Sequence, residues 1–399
     1  MIRRAKPAQI GAASMVVVMA LVFVTLLASV HGSRGVLFEH QSALNQRRSL
    51  QAQQLADAGL DWALAQLNGR RLDGRCEVSD RPDDATLVER LHAAVHRPLP
   101  GCQVDTNGRW HCQCPRSGAV RWEAPEAPTF ELEIDPLPSK AEVPPRLRLL
   151  AHGCSGLDER GRCGRGVADA GHAQAMRQVA LWPALAVVPG AVITATGRVQ
   201  APQAELVAAS ALPQLLAVHA GGAVEIDAAR LHTPVGSAAE GLVHAGDEAL
   251  AARRFDDLVL VHTGLTAALW RELPSVERLT CSDGCSAALA SALGQGARML
   301  WVDGDLRLDA TPLGSPAQPV LLIVNGTLHV KADLQAHAAV IARGLRGSAG
   351  GRWHGAVMIA GDVQLSGTPR LVHDPAVLQR LQQHTGTWAP LAGSWSDRP

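Results

Sequence analysis

Residues Ile10 to Val30 read IGAASMVVVMALVFVTLLASV, an uncharged run of 21 preceded by Arg3, Arg4 and Lys6. As a helix, a run of this length spans a hydrocarbon core of about 30 Å. Three cations precede it and only Arg34 follows closely, a bias that keeps the amino terminus cytoplasmic and exports the rest. Beyond it, Ser33 to Leu67 holds no proline, and only Gly35 and Gly59 interrupt residues that favour helix. One helix from Ala12 to Leu67 would be roughly 84 Å long at about 1.5 Å per residue. Half of it is apolar and half belongs outside the membrane.

Three readings compete for this segment. A cleaved secretory signal has a basic start but an apolar core of only about 7–15 residues, although Val30-His31-Gly32 offers a cleavage site. An ordinary single-pass anchor needs nothing after the span. A pilin-type helix accounts for both halves: a peptidase cuts after a glycine at the cytoplasmic face, and the apolar half later packs into a filament.

A family resemblance enters at these residues. Gly11-Ala12-Ala13-Ser14-Met15-Val16-Val17-Val18-Met19-Ala20-Leu21-Val22 resembles the leader and first helix of PilX-type minor pilins. Gln51 to Ala63, through Asp57-Ala58-Gly59-Leu60, is similar to that family's second helical signature. Leu371 to Leu378 and Gly393-Ser394-Trp395-Ser396-Asp397 are similar to its closing segment. The resemblance implies cleavage between Gly11 and Ala12 by a prepilin peptidase. It also implies a site in the bacterial inner membrane with the head in the periplasm, and incorporation into a surface pilus. The implied partners are other pilins, inner-membrane assembly components and membrane lipid. Small residues such as Gly11, Ala12, Ala13, Ala20, Ala28 and Ser29 would let neighbouring helices approach. One departure stands out: counted from Ala12, the fifth position is Val16, where major pilins carry a glutamate that pairs with a neighbour's amino terminus. A carboxylate unpaired in lipid is costly, so its absence removes both an attraction and a penalty. The resemblance, through similar hydrophobic replacements in PilX-like proteins and in pseudopilins at filament tips, implies a subunit at or near the tip.

The 399 residues carry zero formal net charge, with 37 Lys and Arg against 37 Asp and Glu. No basic footprint of a nucleic-acid binder is present. Tyrosine is absent and only four phenylalanines occur, so the core must rest on small aliphatic residues in thin, repetitive β layers. Eight cysteines, at Cys76, Cys102, Cys112, Cys114, Cys154, Cys163, Cys281 and Cys285, all follow the membrane segment. An even number in an exported chain reads as disulfides. Cys154–Cys163 and Cys281–Cys285 suit small loops. Gly101 to Cys114 reads as a hairpin around Asn107-Gly108. Pairing Thr106 with Arg109 would set Cys102 opposite Gln113 and leave Cys102 unable to bridge Cys112. The rival is a zinc site of His111, Cys112 and Cys114, which lacks paired Cys-x-x-Cys spacing.

Between Arg70 and Met176 the chain is irregular, with Pro125, Pro128, Pro136, Pro138, Pro144 and Pro145 among Glu123, Glu126, Glu131, Glu133, Asp135 and Glu142. Farther on, Val302-Asp303-Gly304-Asp305-Leu306-Arg307-Leu308, Val324-Asn325-Gly326-Thr327-Leu328-His329-Val330 and Ile359-Ala360-Gly361-Asp362-Val363-Gln364-Leu365 share one pattern. Apolar residues alternate around a glycine, and looser copies surround Gly190 and Gly222. Alternation puts the apolar residues on one strand face, and glycine permits close approach between stacked rungs. That pattern predicts a β-solenoid, with loops of unequal length leaving the rungs, since 22 residues separate Gly304 from Gly326 and 35 separate Gly326 from Gly361. An antiparallel sandwich is the rival.

The expected fold is therefore α+β, a long pilin-like helix before a mainly β head. Its divisions are a leader 1–11, the helix 12–70 (membrane part 12–30, exported part 31–70), a cysteine-rich β module 71–176, a repetitive β domain 177–370 and a tail 371–399. Catalytic motifs with a nucleophile elbow, a zincin helix or a phosphate loop are missing, and no cofactor or metal is implied. Asp303, Asp305 and Asp309 form a local acidic group that a membrane-anchored carbohydrate-active β-helix could use; solvated turn residues are the plainer reading. Trp301, Trp353, Trp388 and Trp395 offer either an aromatic binding surface or core packing. The expected function is a non-enzymatic minor pilin concerned with assembly or adhesion, with a type II secretion pseudopilin as the alternative.

Overall fold

The computed structural model describes residues 11–81, 83–93, 98–120, 122, 124–138, 144–164, 170–208, 215–233, 241–281, 284–309 and 312–398. The basic leader residues, and Glu123 and Glu142 of the acidic stretch, lie outside them. Helix α1 runs unbroken over Gly11–Leu67. Its last third carries Ala52, Leu55, Ala56, Leu60, Ala63 and Leu67, all buried. The spacing by three and four puts them on one helix face.

That face lies on an antiparallel sheet ordered Gly386–Pro390, His172–Pro183, Arg146–Cys154, Thr129–Leu137, Gly101–Val104 and Trp110–Gln113, with Ser396–Arg398 also paired to His172–Pro183. Alternate residues of its strands, Phe130, Leu132 and Ile134, then Leu147, Leu149 and Ala151, join the α1 stripe in one core. Helix and sheet meet so closely that a Cβ on Gly153 would lie 2.0 Å from the Ala52 carbonyl oxygen. The end of α1 is fastened by Asn68, whose side-chain oxygen accepts from the Trp388 N–H at 2.7 Å and whose amide donates to the Trp388 carbonyl at 2.9 Å.

The hairpin differs by one residue from the sequence expectation. Cys102 faces Cys112 and Gly101 faces Gln113, and Cys102–Cys112 is a disulfide. Asp105, not Thr106, closes the turn: its N–H donates to the Arg109 carbonyl and its carboxylate accepts from the N–H groups of Asn107 and Arg109. Gly108 at φ +76° supplies the left-handed residue. This three-residue loop shifts the register by one, which turns every side chain to the opposite face. Cys76 pairs with Cys114, Cys154 with Cys163 and Cys281 with Cys285. With Cys112 and Cys114 both bridged, the zinc arrangement with His111 is excluded.

The second half is a solenoid of parallel ladders. On its longest ladder the strands follow one another as Val276–Thr280, Met299–Asp303, Val320–Val330, Leu334–Gly347, Gly351–Ile359, Ala191–Ala195, Leu216–Ala220 and Val243–His244. The repeats stack as their pattern predicts: Val302 on Val324, Leu306 on Leu328, and Ile359 and Val363 on the intervening rung at Ala342 and Leu345. That rung was hidden because its glycine is Gly344 in a shifted register. Likewise the copy that stacks beneath Gly222 is Gly197, not Gly190. Glycines form the corner, where a Cβ on Gly326 would lie 2.3 Å from the Gly304 oxygen.

Inside, Leu300, Val302, Leu322, Val324, Val340 and Ile359 fill the solenoid core. The neighbours Met299, Trp301, Leu321, Ile323, Ile341 and Met358 point outward, under helices Phe255–Thr263, Ala267–Arg271 and Pro375–Gln383. Strands buried on both faces read as continuous apolar runs. The expected divisions at 176 and 370 do not hold: His172–Pro183 carries the antiparallel sheet past the first. The tail closes a solenoid ladder with Arg370–Val372, covers it with Pro375–Gln383 and returns to the antiparallel sheet.

Candidate functional site

The largest feature left uncovered by the fold is the amino-terminal part of α1. From Met15 to Val30 its large apolar side chains stand exposed, and Val36, Leu37 and Phe38 continue the surface past Arg34. It is the one helix among the described residues long and apolar enough to cross a membrane. Val16 is 66 % exposed on it. Gly11 and Ala12 begin the helix. Thr25 turns its hydroxyl back to the Leu21 carbonyl at 3.0 Å, which satisfies that hydroxyl within the span.

In the head, two of the three carboxylates of the acidic group, Asp303 and Asp305, are already occupied. One Asp303 oxygen accepts from Trp301 Nε1 at 2.8 Å and from the Asn325 amide at 3.2 Å. Asp305 accepts from the Thr327 N–H at 2.7 Å across the rung, and Asp309 is exposed. The carboxylates tie neighbouring rungs together. Trp301, Trp353 and Trp388 are buried, whereas Trp395 is 48 % exposed and donates to Asp57 of α1 at 3.4 Å. The four therefore form no common surface.

A cleft of about 600 Å³ separates the end of α1 from the solenoid, lined among others by Arg70, Glu89, Glu277, Arg298 and Gln318. Its charges are paired across it. Arg70 donates to Glu277, and Gln318 accepts from Arg298 while donating to Glu89. Burial, reinforced by Arg71, pulls the Arg298 guanidinium down to about 10. The cleft thus joins the two halves of the head.

Histidines scattered in sequence come together by rung spacing. His219 stacks on His244 with ring centroids 5.0 Å apart, and His337 on His354 at 4.9 Å. In each pair one imidazole meets an aspartate that caps a helix: His219 with Asp247 at 2.7 Å, His354 with Asp374 at 3.1 Å. Sequence reading missed both. The usable signal was the offset of 25 residues from His219 to His244, the same as from Val199 to Val224.

No family model and no curated protein matches this chain. Among solved structures, the crystal structure of the competence-associated pilin ComZ from Thermus thermophilus is similar over 88 % of this chain and 97 % of that one, at 12 % identity and a TM-score of 0.25.

Proposed function

We propose that this chain is a non-enzymatic, PilX-like minor pilin, anchored in the inner membrane by α1 and later built into a type IV pilus at or near its tip. The observation that carries the reading is the division of labour along one helix. Its last third is fastened to the head by Asn68 and the Ala52–Leu67 stripe, and the preceding apolar length is left for other helices. Apolar surface on that scale marks a membrane or protein contact. In the proposal, cleavage after Gly11 frees Ala12 as the new terminus, and Val16 removes the carboxylate that would pair with a neighbour in the shaft. Other pilins and the inner-membrane assembly components are the expected partners. The occupied carboxylates of Asp303 and Asp305 favour this reading over a carbohydrate-cleaving one.

The deciding experiment is intact-mass and amino-terminal analysis of the protein from membranes and from sheared surface filaments. A chain starting at Ala12, present in the sheared fraction and uncut without the prepilin peptidase, is expected. A start near Ser33, or an uncut Met1 form confined to membranes, overturns the proposal.

A further inference from the structure

The terminal rung of the solenoid brings together three potential metal ligands from separate elements. His219 lies on Leu216–Ala220, His244 on the edge strand Val243–His244, and Asp247 at the start of helix Glu248–Ala251. One ligand atom from each residue lies within 4.8 Å of the other two. We propose that His219, His244 and Asp247 bind one divalent transition metal ion of the nickel–copper class, completed by water.

The chemistry of the donors sets the class. Two imidazoles and a carboxylate suit borderline ions rather than calcium or magnesium, which prefer all-oxygen sites. Geometry narrows it further. His219 Nε2 and Asp247 Oδ2 are 2.7 Å apart, so an ion about 2.1 Å from each would see them about 80° apart. That is a cis angle of a tetragonal or octahedral site, narrower than a tetrahedral zinc site needs. The two rings are stacked, with centroids 5.0 Å apart and planes inclined by 7°, so the exposed His244 ring turns about its side-chain torsions to aim a nitrogen at the ion.

The second shell is in place. Asp247 Oδ1 accepts from the N–H groups of Ala249 and Leu250 at 2.9 and 3.1 Å, which fixes the carboxylate and leaves Oδ2 for the ion. Binding replaces the hydrogen bond between His219 Nε2 and Asp247 Oδ2, with the imidazole proton moved to Nδ1 so that Nε2 faces the ion.

The test is calorimetric titration of untagged, full-length, detergent-solubilised protein with Ni²⁺ after chelator dialysis, with Cu²⁺ electron paramagnetic resonance as the second readout. One equivalent and a spectrum with two equatorial nitrogens are expected. His244→Ala and Asp247→Asn should each weaken Ni²⁺ at least tenfold. Asparagine caps a helix about as well as aspartate, so Asp247→Asn separates loss of a ligand from loss of fold. Absence of a stoichiometric site in the wild type, or affinity unchanged in both variants, overturns the proposal and leaves the trio a purely structural cap.

Discussion

Single residues decide how closely the layers of this head approach. Gly153 sits where the sheet meets the backbone of α1, so Gly153→Ala places a methyl 2.0 Å from the Ala52 oxygen. Neither partner is a flexible side chain, and the expected cost is about 3 kcal/mol, as for overpacking in a tight core, read from denaturant unfolding of the detergent-solubilised protein. Asn68 works by satisfying both backbone groups of the buried Trp388. Asn68→Ala leaves a donor and an acceptor without partners and should cost about 2 kcal/mol; an unchanged midpoint would show that water replaces the amide. Glu131 works in the other direction. Burial pushes its carboxyl above the ordinary range, against the pull of Arg162 at 3.8 Å. A carboxyl with a raised folded pKa favours folding below its unfolded pKa, and this contribution is lost as pH rises through the folded value. Glu131→Gln should therefore raise the melting temperature at pH 7 and change it little near pH 3. Equal melting curves at pH 7 would contradict the sign.

At the scale of elements, local chemistry and packing divided the work. Helix α1 was legible because a long apolar run and a proline-free continuation both demand helix. The solenoid strands were legible because alternation around glycine marks a buried strand at a sharp corner. The Gly101–Cys114 hairpin was legible as a hairpin but not in register, because Asp105 and Gly108 together select a three-residue loop. The bridge that follows from this register has a test. Joint replacement of Cys102 and Cys112 by serine opens a small loop and should cost about 2–3 kcal/mol, while leaving Cys76–Cys114 intact in a mass-spectrometric map. The helices between Glu248 and Arg271 escaped notice inside a segment read as repetitive β. Their signals are Asp247 and Thr266 at the N-caps and Gly264 at φ +75°.

The whole molecule places the two ends of the solenoid segment next to each other. The chain enters the stack in the middle at Ala191–Ala195, winds outward to Val243–His244 and returns after Asp247 through the helices Glu248–Ala251, Phe255–Thr263 and Ala267–Arg271. It then resumes at Val276–Thr280 and climbs until Gly351–Ile359 pairs with the first strand. Entry and exit therefore lie beside the antiparallel sheet that α1 holds. This closed arrangement buries His373, whose Nε2 donates to the Pro189 carbonyl at 2.9 Å across that junction. Burial lowers His373 and likewise His262. Depressed folded values mean that the unfolded chain binds more protons, so stability is present above about pH 6.5 and lost as pH falls below it. Head stability should decline as pH falls below about 6.5, and His373→Gln should flatten that decline in melting curves.

The sequence by itself determined the long apolar helix, the parallel rungs and their glycine corners. These rest on local features: run length, alternation and the absence of a side chain at one position. Only the tertiary structure decided the order in which the rungs stack and the meeting of His219 with His244 and Asp247. Those depend on which distant segments share a ladder. That choice is made by burying the outer face of the solenoid under helices and by returning the chain to the sheet on α1, and no window of neighbouring residues contains it.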